Sequence, residues 1–163
     1  MALPIRLNQL PTQEDVERGL ARLCTHALRN YWILDPKGGR ALLGLDCVRA
    51  HLPGDGTAEK EYALALRAYL EVAVPRVESG AYRTILEIVL GVGDEEWSAK
   101  EWRRQKAKAR RAKAGQLFRP DEEDGDPVEA DTIRQHHEPR ALKALAAILI
   151  EDEHAVRAAT ATD

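Results

Sequence analysis

SAKEWRRQKAKARRAKAG, residues 98–115, is the stretch that decides the predicted fold. Ser98, followed three residues later by Glu101, has the pattern of a capping box, which predicts the start of a helix. The residues that follow are mostly alanine, lysine and arginine, all strong helix formers. Gly115 stands where many helices end in a left-handed residue. We therefore predict a basic helix that ends near Ala114.

A second short helix is predicted in DPVEADTIRQHH, residues 126–137. Asp126 suits the N-cap and Pro127 the first helical position, so a helix start is indicated here. The helix should end near His137, because the residue before Pro139 avoids the helical region. A last helix then begins at the proline and reaches about residue 154.

The remainder of the chain has the same helical character. Aromatic residues make up only 5% of the sequence, and alanine, leucine, arginine and glutamate dominate it. Further helices are predicted from caps and breakers: one of about 18 residues capped by Thr12, one over residues 41–52, one capped by Thr57 and stopped by Pro75, and one from Ser79 or Gly80 to Gly91.

These elements predict an all-α protein, a bundle of six or seven helices whose C-terminal part resembles a helix-turn-helix. A weak boundary at the glycines of residues 91–93 divides it into an N-terminal bundle, residues 1–92, and a helix-turn-helix-like part, residues 93–154, packed on the bundle. Residues 155–163 have little apolar anchorage and are expected to form a flexible tail.

The helix-turn-helix hypothesis assigns roles to both C-terminal helices. The alanines of the basic helix permit close approach of a neighbour, and Val128 and Ile133 would pack against it. The second helix would then present polar side chains to a groove. The predicted phosphate contacts are Arg104, Lys108 and Arg111, and the predicted base contacts are Thr132, Arg134, Gln135 and His136.

An acidic loop leaves other interpretations open. Asp121, Glu122, Glu123, Asp124 and Asp126 follow the basic helix, and they would either repel phosphates or fold back and mask the patch. The basic run could also be an ordinary solvated face or a surface that docks a protein. If the protein dimerises, the apolar face of residues 142–150 is the predicted interface.

No motif indicates catalysis or cofactor binding. The sequence has no phosphate-binding loop, dinucleotide fingerprint or zinc protease motif, so we predict a protein that is not an enzyme and uses no cofactor or small-molecule substrate. Cys24 and His26 lie about 160° apart around a helix, which disfavours a zinc site with Cys47 and His51. We expect both cysteines to be buried.

Charge and hydropathy restrict the partners and the compartment. The net charge of −3 disfavours binding of nucleic acid through global charge and leaves the local basic patch as the candidate surface. The two cysteines without a secretory leader predict a cytoplasmic protein, and no stretch is apolar enough to predict membrane insertion. The candidate partners are DNA, another protein and a second copy of the chain.

Part of the chain resembles an uncharacterised helical module of bacterial multidomain regulatory and defence proteins. The segments that carry this resemblance are LEIVLGVG at residues 86–93, the basic helix, ADTIRQHHEPR at residues 130–140 and the Leu/Ala-rich helix after it. The resemblance covers roughly residues 40–152. It implies a degenerate helix-turn-helix behind a small helical bundle, often preceding an effector domain. The resulting hypothesis is a non-enzymatic regulatory protein that binds nucleic acid, and the alternative is a protein–protein adaptor of a bacterial regulatory or defence system.

Overall fold

The computed structural model describes residues 3–118 and 127–161, and within these ranges the chain is helical and has no strand. The prediction of an all-α bundle is therefore confirmed. The α-helices are α1 Gln13–His26, α2 Asn30–Leu34, α3 Asp46–Arg49, α4 Glu59–Ala73, α5 Gly80–Leu90, α6 Glu95–Ser98, α7 Lys100–Arg103, α8 Ala107–Leu117, α9 Ala130–Thr132 and α10 Glu138–Ala161. The other helical segments are two 3-10 turns, Arg40–Gly44 and Val74–Arg76, and a π-helical segment, Ile133–His137.

Several predicted helix ends are confirmed by their hydrogen bonds. The Thr12 hydroxyl accepts from the backbone N–H of Asp15 at 3.1 Å, and the Asp15 carboxylate accepts from the backbone N–H of Thr12 at 3.3 Å. Ser79 caps α5 in the predicted way, and Gly91 ends that helix with φ at 76°. These ends were predictable because each depends on one side chain close in sequence.

Other predicted boundaries in the N-terminal part are wrong. Helix α1 has 14 residues and ends at His26, because Ala27 takes a positive φ of 58°. The helix predicted over residues 41–52 is a 3-10 turn followed by α3, with an extended residue between them. Thr57 does not cap α4, since its hydroxyl donates to Asp55 at 2.7 Å.

The predicted basic helix is broken into α7 and α8, with α6 before them, and Ser98 is no N-cap. Trp97 and Trp102 give the physical reason for the extended residue Ala99, which separates α6 from α7. Residues five apart on one helix lie about 140° from each other, so a straight helix would turn one ring away from the core. The extended residue Ala99 instead brings the two ring centroids to 4.9 Å. The Trp102 indole N–H then donates to the carbonyl of Ile88 at 2.8 Å.

The predicted break at Glu138-Pro139 is also wrong, because the chain is helical without interruption from Ala130 to Ala161. The proline has no N–H to give to the carbonyl four residues earlier. The π-helical turn before it widens the helix, and the N–H of Glu138 donates to Ile133, five residues back. The described residues 127–137 therefore do not form a separate helix, and the predicted helix-turn-helix is not confirmed.

A single hydrophobic core includes residues from both predicted parts of the chain. The first and last long helices, α1 and α10, pack against each other. Leu142, Leu145 and Leu149 are buried in this core, so the face that we predicted as a dimer interface is covered by the chain itself.

The end of α10 also differs from the predicted flexible tail. The helix continues to Ala161 instead of ending near residue 154. Val156 packs against the core, and the guanidinium of Arg157 donates to the carbonyl of Leu7 at 2.9 Å and to Glu153 at 3.0 Å. These contacts tie the last turns of α10 to the N-terminal segment.

Candidate anion-binding cleft

The predicted phosphate contacts are in two different environments. Arg104 and Lys108 are exposed. Arg111 forms two hydrogen bonds with the carboxylate of Glu138, at 2.8 and 2.9 Å, and its side chain is only 15% exposed. Although burial alone would lower the pKa of Arg111, the hydrogen bonds and charge of Glu138 raise it. The charge of Arg111 is thus engaged inside the protein.

The predicted base contacts lie in the first turns of the helix that runs from Ala130 to Ala161. Arg134, Gln135 and His136 are exposed, while Thr132 is half-buried. Arg134 lies 3.9 Å from the carboxylate of Asp131. An exposed ion pair of this kind contributes little to the stability of the fold.

These residues lie at the C-terminal end of α8, away from Lys108. The backbone N–H of Val128 donates to the carbonyl of Gly115 at 3.0 Å, and Glu138 reaches back to Arg111, so the two helices run in opposite directions. Lys108 and Gly115 are separated by about 10 Å of helix. The structure therefore does not bring the predicted phosphate and base contacts together at one point.

Arg110, between these positions, has a purely structural environment. It is fully buried and donates to the carbonyls of Cys24 at 2.9 Å and Thr25 at 2.8 Å, and to the carbonyl of Val89. These carbonyls belong to the last turns of α1 and α5, where a helix has no N–H groups of its own to offer. Burial lowers the pKa of Arg110 to about 10, still well above neutrality.

The basic residues that do converge surround a cleft of about 510 Å³ at the start of α7. We call it the basic cleft. Its cationic side chains come from three regions of the chain: Arg29 before α2, Arg67 on α4, and the basic run. The residues that line it are Arg29, Asn30, Tyr31, Arg67, Ser98, Lys100, Arg103 and Arg104.

Three of these arginines are anchored by backbone carbonyls. The Nε of Arg29 donates to the carbonyl of Arg103 at 2.7 Å, and the Nε of Arg67 donates to that of Leu28 at 2.9 Å. The Nε of Arg103 donates to the carbonyl of Gly91 at 2.8 Å. Each anchor uses one N–H of a guanidinium that has five, so the terminal nitrogens keep their donors for a ligand. The anchors also fix the side chains before any ligand arrives.

No carboxylate within the described ranges forms an ion pair with a cation of the basic cleft. Burial and the charge of Arg103 lower the pKa of Arg67 to about 10, against a weaker opposing effect of Glu71. Burial likewise lowers the pKa of Arg103. Positive charge is thus concentrated in a partly desolvated cleft. A bound anion would offset the repulsion between these cations and the cost of their desolvation.

Sequence reasoning found only part of this site. Arg104 was among the predicted contacts, whereas Arg29 and Arg67 were not, because they join the basic run only through folding. One signal was present for Arg67. It stands between the fully buried Ala63 and Leu70 at helical spacing, and a cation on an apolar stripe requires a partner or a function.

Other features bear on the remaining predictions. Cys24 and Cys47 are free thiols and both are buried, as expected, and burial raises the pKa of each.

Across residues 3–118 and 127–161, no helix is long and apolar enough to cross a membrane. The acidic loop lies outside the described residues, so its masking of the basic run stays a prediction. No family model, curated protein or solved structure matches this chain.

Proposed function

We propose that this protein binds nucleic acid through the basic cleft, which includes the exposed side chains of Lys100 and Arg104. The observation that carries the proposal is the convergence of five cations without an ion-pair partner in the described part of a chain whose net charge is −3. Guanidinium groups match the geometry of phosphate oxygens and are weakly hydrated, so they suit a phosphate backbone. The resemblance noted above would place this binding unit beside an effector domain, which gives binding a regulatory purpose.

The proposal keeps nucleic acid as the partner but changes the surface that binds it. In the helix-turn-helix hypothesis the exposed first turns of the Ala130–Ala161 helix read bases. In the present proposal Arg134, Gln135 and His136 lie outside the contact area, and phosphate contacts at the basic cleft supply the affinity. The two versions are distinguished by which substitutions weaken binding.

The test is fluorescence anisotropy of labelled DNA and RNA with the full chain, titrated between about 50 and 200 mM salt. The double variant Lys100→Gln, Arg104→Gln removes two exposed cations that anchor no backbone group in the described structure. Each lost phosphate contact should reduce the log–log salt slope by about 0.7 for a single strand or 0.9 for a duplex. We therefore expect a slope smaller in magnitude by about 1.4 to 1.8.

The matched control is Arg134→Gln, His136→Gln, which removes an exposed guanidinium and an exposed imidazole at the other end of α8. It should leave affinity and slope unchanged. Loss of binding in this control with no loss in the first variant would overturn the proposed surface in favour of the predicted reading helix. Absence of binding by the unmodified chain at about 50 mM salt would overturn the function itself.

A further inference from the structure

Tyr31 distinguishes the basic cleft from a plain phosphate-binding surface. Of the tryptophan, tyrosine and phenylalanine side chains in the described ranges, it alone is exposed, with 55% of its surface accessible. It is also a lining residue of the basic cleft. An exposed aromatic ring beside a row of cations is the pairing that single-stranded nucleic acid requires, since bases stack on the ring while phosphates meet the cations.

The ring of Tyr31 is held in place by its neighbours. Its centroid lies 6.0 Å from that of His26 and 6.4 Å from that of Trp32. Trp32 is itself fixed, because its indole N–H donates to the carbonyl of Arg22 at 2.7 Å and its ring meets His26 edge to face at 4.6 Å. A ring supported in this way loses little conformational freedom when a base stacks on it.

The shape of the basic cleft disfavours a duplex. Arg67 and Arg103 are half-buried, so their guanidinium groups are reached from inside the concavity. A duplex presents its phosphates on a convex surface and keeps its bases stacked inside. An unpaired nucleotide can instead enter, and 510 Å³ falls within the range of pockets that hold small ligands, about 300 to 1,000 Å³.

We infer that the basic cleft takes one nucleotide of a single-stranded nucleic acid, with its phosphate on the anchored guanidinium groups of Arg29, Arg67 and Arg103 and its base stacked on Tyr31. This inference rests on the proposed function and specifies its ligand. The amide of Asn30 and the hydroxyl of Ser98, which also line the cleft, are within the same concavity to hydrogen-bond the sugar or a base edge.

The experiment compares a labelled 12-nucleotide single strand with a duplex of the same sequence, by anisotropy with the full chain at one fixed salt concentration. We expect the single strand to bind at least tenfold more tightly. Tyr31→Ala should weaken its binding about 5- to 150-fold, the range for loss of one base–aromatic stack. Repeated between about 50 and 200 mM salt, the titration of Tyr31→Ala should give the same salt slope as the unmodified protein, since no charge is removed.

Tyr31→Phe and Tyr31→Trp retain a stacking ring and should bind within about threefold of the unmodified protein, the small change expected when the stack is kept. Val72→Ala is the control, an equally exposed apolar side chain on α4 that does not line the cleft. Circular dichroism verifies that each variant is folded. If phenylalanine and tryptophan weaken binding as much as alanine does, the ring does not stack and the inference fails.

The remaining outcomes separate this inference from the proposed function. Equal binding of duplex and single strand, with no effect of Tyr31→Ala, would overturn the inference and leave nucleic-acid binding intact. If neither the duplex nor the single strand binds, both the inference and the proposed function are overturned. Adenosine monophosphate is the second probe: competition at the same concentration as the 12-nucleotide strand would identify a site for free nucleotides and overturn the single-strand assignment.

Discussion

Arg110 and Arg111 are adjacent in sequence, yet one satisfies backbone carbonyls and the other an acidic side chain. Arg110 reaches the C-terminal ends of α1 and α5, where its charge also complements the partial negative charge of a helix terminus. Arg111 lies about 100° around α8 and meets Glu138 instead. Neither contributes to the surface charge that the sequence suggests for this run.

Replacing Arg110 with methionine should destabilise the fold strongly. Methionine fills a similar volume but donates no hydrogen bond, so the carbonyls of Cys24, Thr25 and Val89 lose their partner. A buried polar group left unsatisfied costs about 1–3 kcal/mol, and we expect the free energy of unfolding to fall by at least about 3 kcal/mol. Urea denaturation followed by circular dichroism measures the loss.

Lys108→Met on the same helix is the control for Arg110→Met. Its side chain is exposed, so its effect should stay within about 0.5 kcal/mol. Equal stability of the two variants would mean that water satisfies the three carbonyls as well as the guanidinium does.

At the level of single residues, the sequence revealed charge but not partners. The basic run was visible at once, and Arg104 and Lys108 are exposed as a binding surface needs. That Arg110 is buried and Arg111 paired depends on groups 21 to 86 residues away, which no local pattern indicates. The same holds for Arg29 and Arg67 in the basic cleft.

Among the elements, α8 and the segment at residues 127–129 form a close backbone contact that passes over Gly115. We predicted this glycine as a helix terminator, but it lies inside α8, two residues before its end. A Cβ atom at this position would stand 1.8 Å from the carbonyl oxygen of Val128. The glycine is therefore needed for the approach of another chain segment and not for a left-handed turn.

Gly115→Ala should destabilise the protein although alanine is the better helix former. The gain in helix propensity is about 1 kcal/mol, whereas forcing backbone apart in a packed site costs typically about 1–3 kcal/mol, and the severity of this overlap favours the upper end. We expect a net loss of about 1–2 kcal/mol in thermal or urea unfolding.

Gly80→Ala provides the matched comparison in the first turn of α5. A Cβ there meets only the end of the Arg83 side chain, at 3.6 Å, so the substitution should be neutral or should stabilise by up to about 1 kcal/mol. If Gly115→Ala behaves in the same way, the segment at residues 127–129 is not packed on α8 as described.

The elements also indicate which predictions from sequence are dependable. Caps such as Thr12 and Ser79 were predicted because side chain and backbone N–H lie three residues apart. The break at Pro139 was predicted wrongly because a π-helical turn compensates for the missing N–H. The capping box predicted at Ser98 failed because two tryptophans had to reach one core, a tertiary demand that overrides local sequence signals.

For the whole molecule, the parts predicted on either side of residues 91–93 are joined by the packing of the termini. Helix α10, from the second predicted part, packs on α1 and α5 of the first, and one core includes residues of both. Arg157 near the end of α10 also bonds the N-terminal segment at Leu7. Removing either part would expose the apolar face of the other, so we expect the two to fold together.

Unfolding in urea should accordingly be one cooperative transition seen by probes in both parts. Trp32 reports on residues 1–92, and Trp97 and Trp102 report on residues 93–154. The variant Trp32→Phe and the double variant Trp97→Phe, Trp102→Phe isolate the two signals. Within each variant, tryptophan fluorescence and far-ultraviolet circular dichroism should share one midpoint, because a two-state protein gives coincident curves by every probe. If the fluorescence midpoint instead precedes the dichroism midpoint in one variant and follows it in the other, the two parts are separate domains. The basic cleft contains cations from both parts, so it would then form only when the two domains dock.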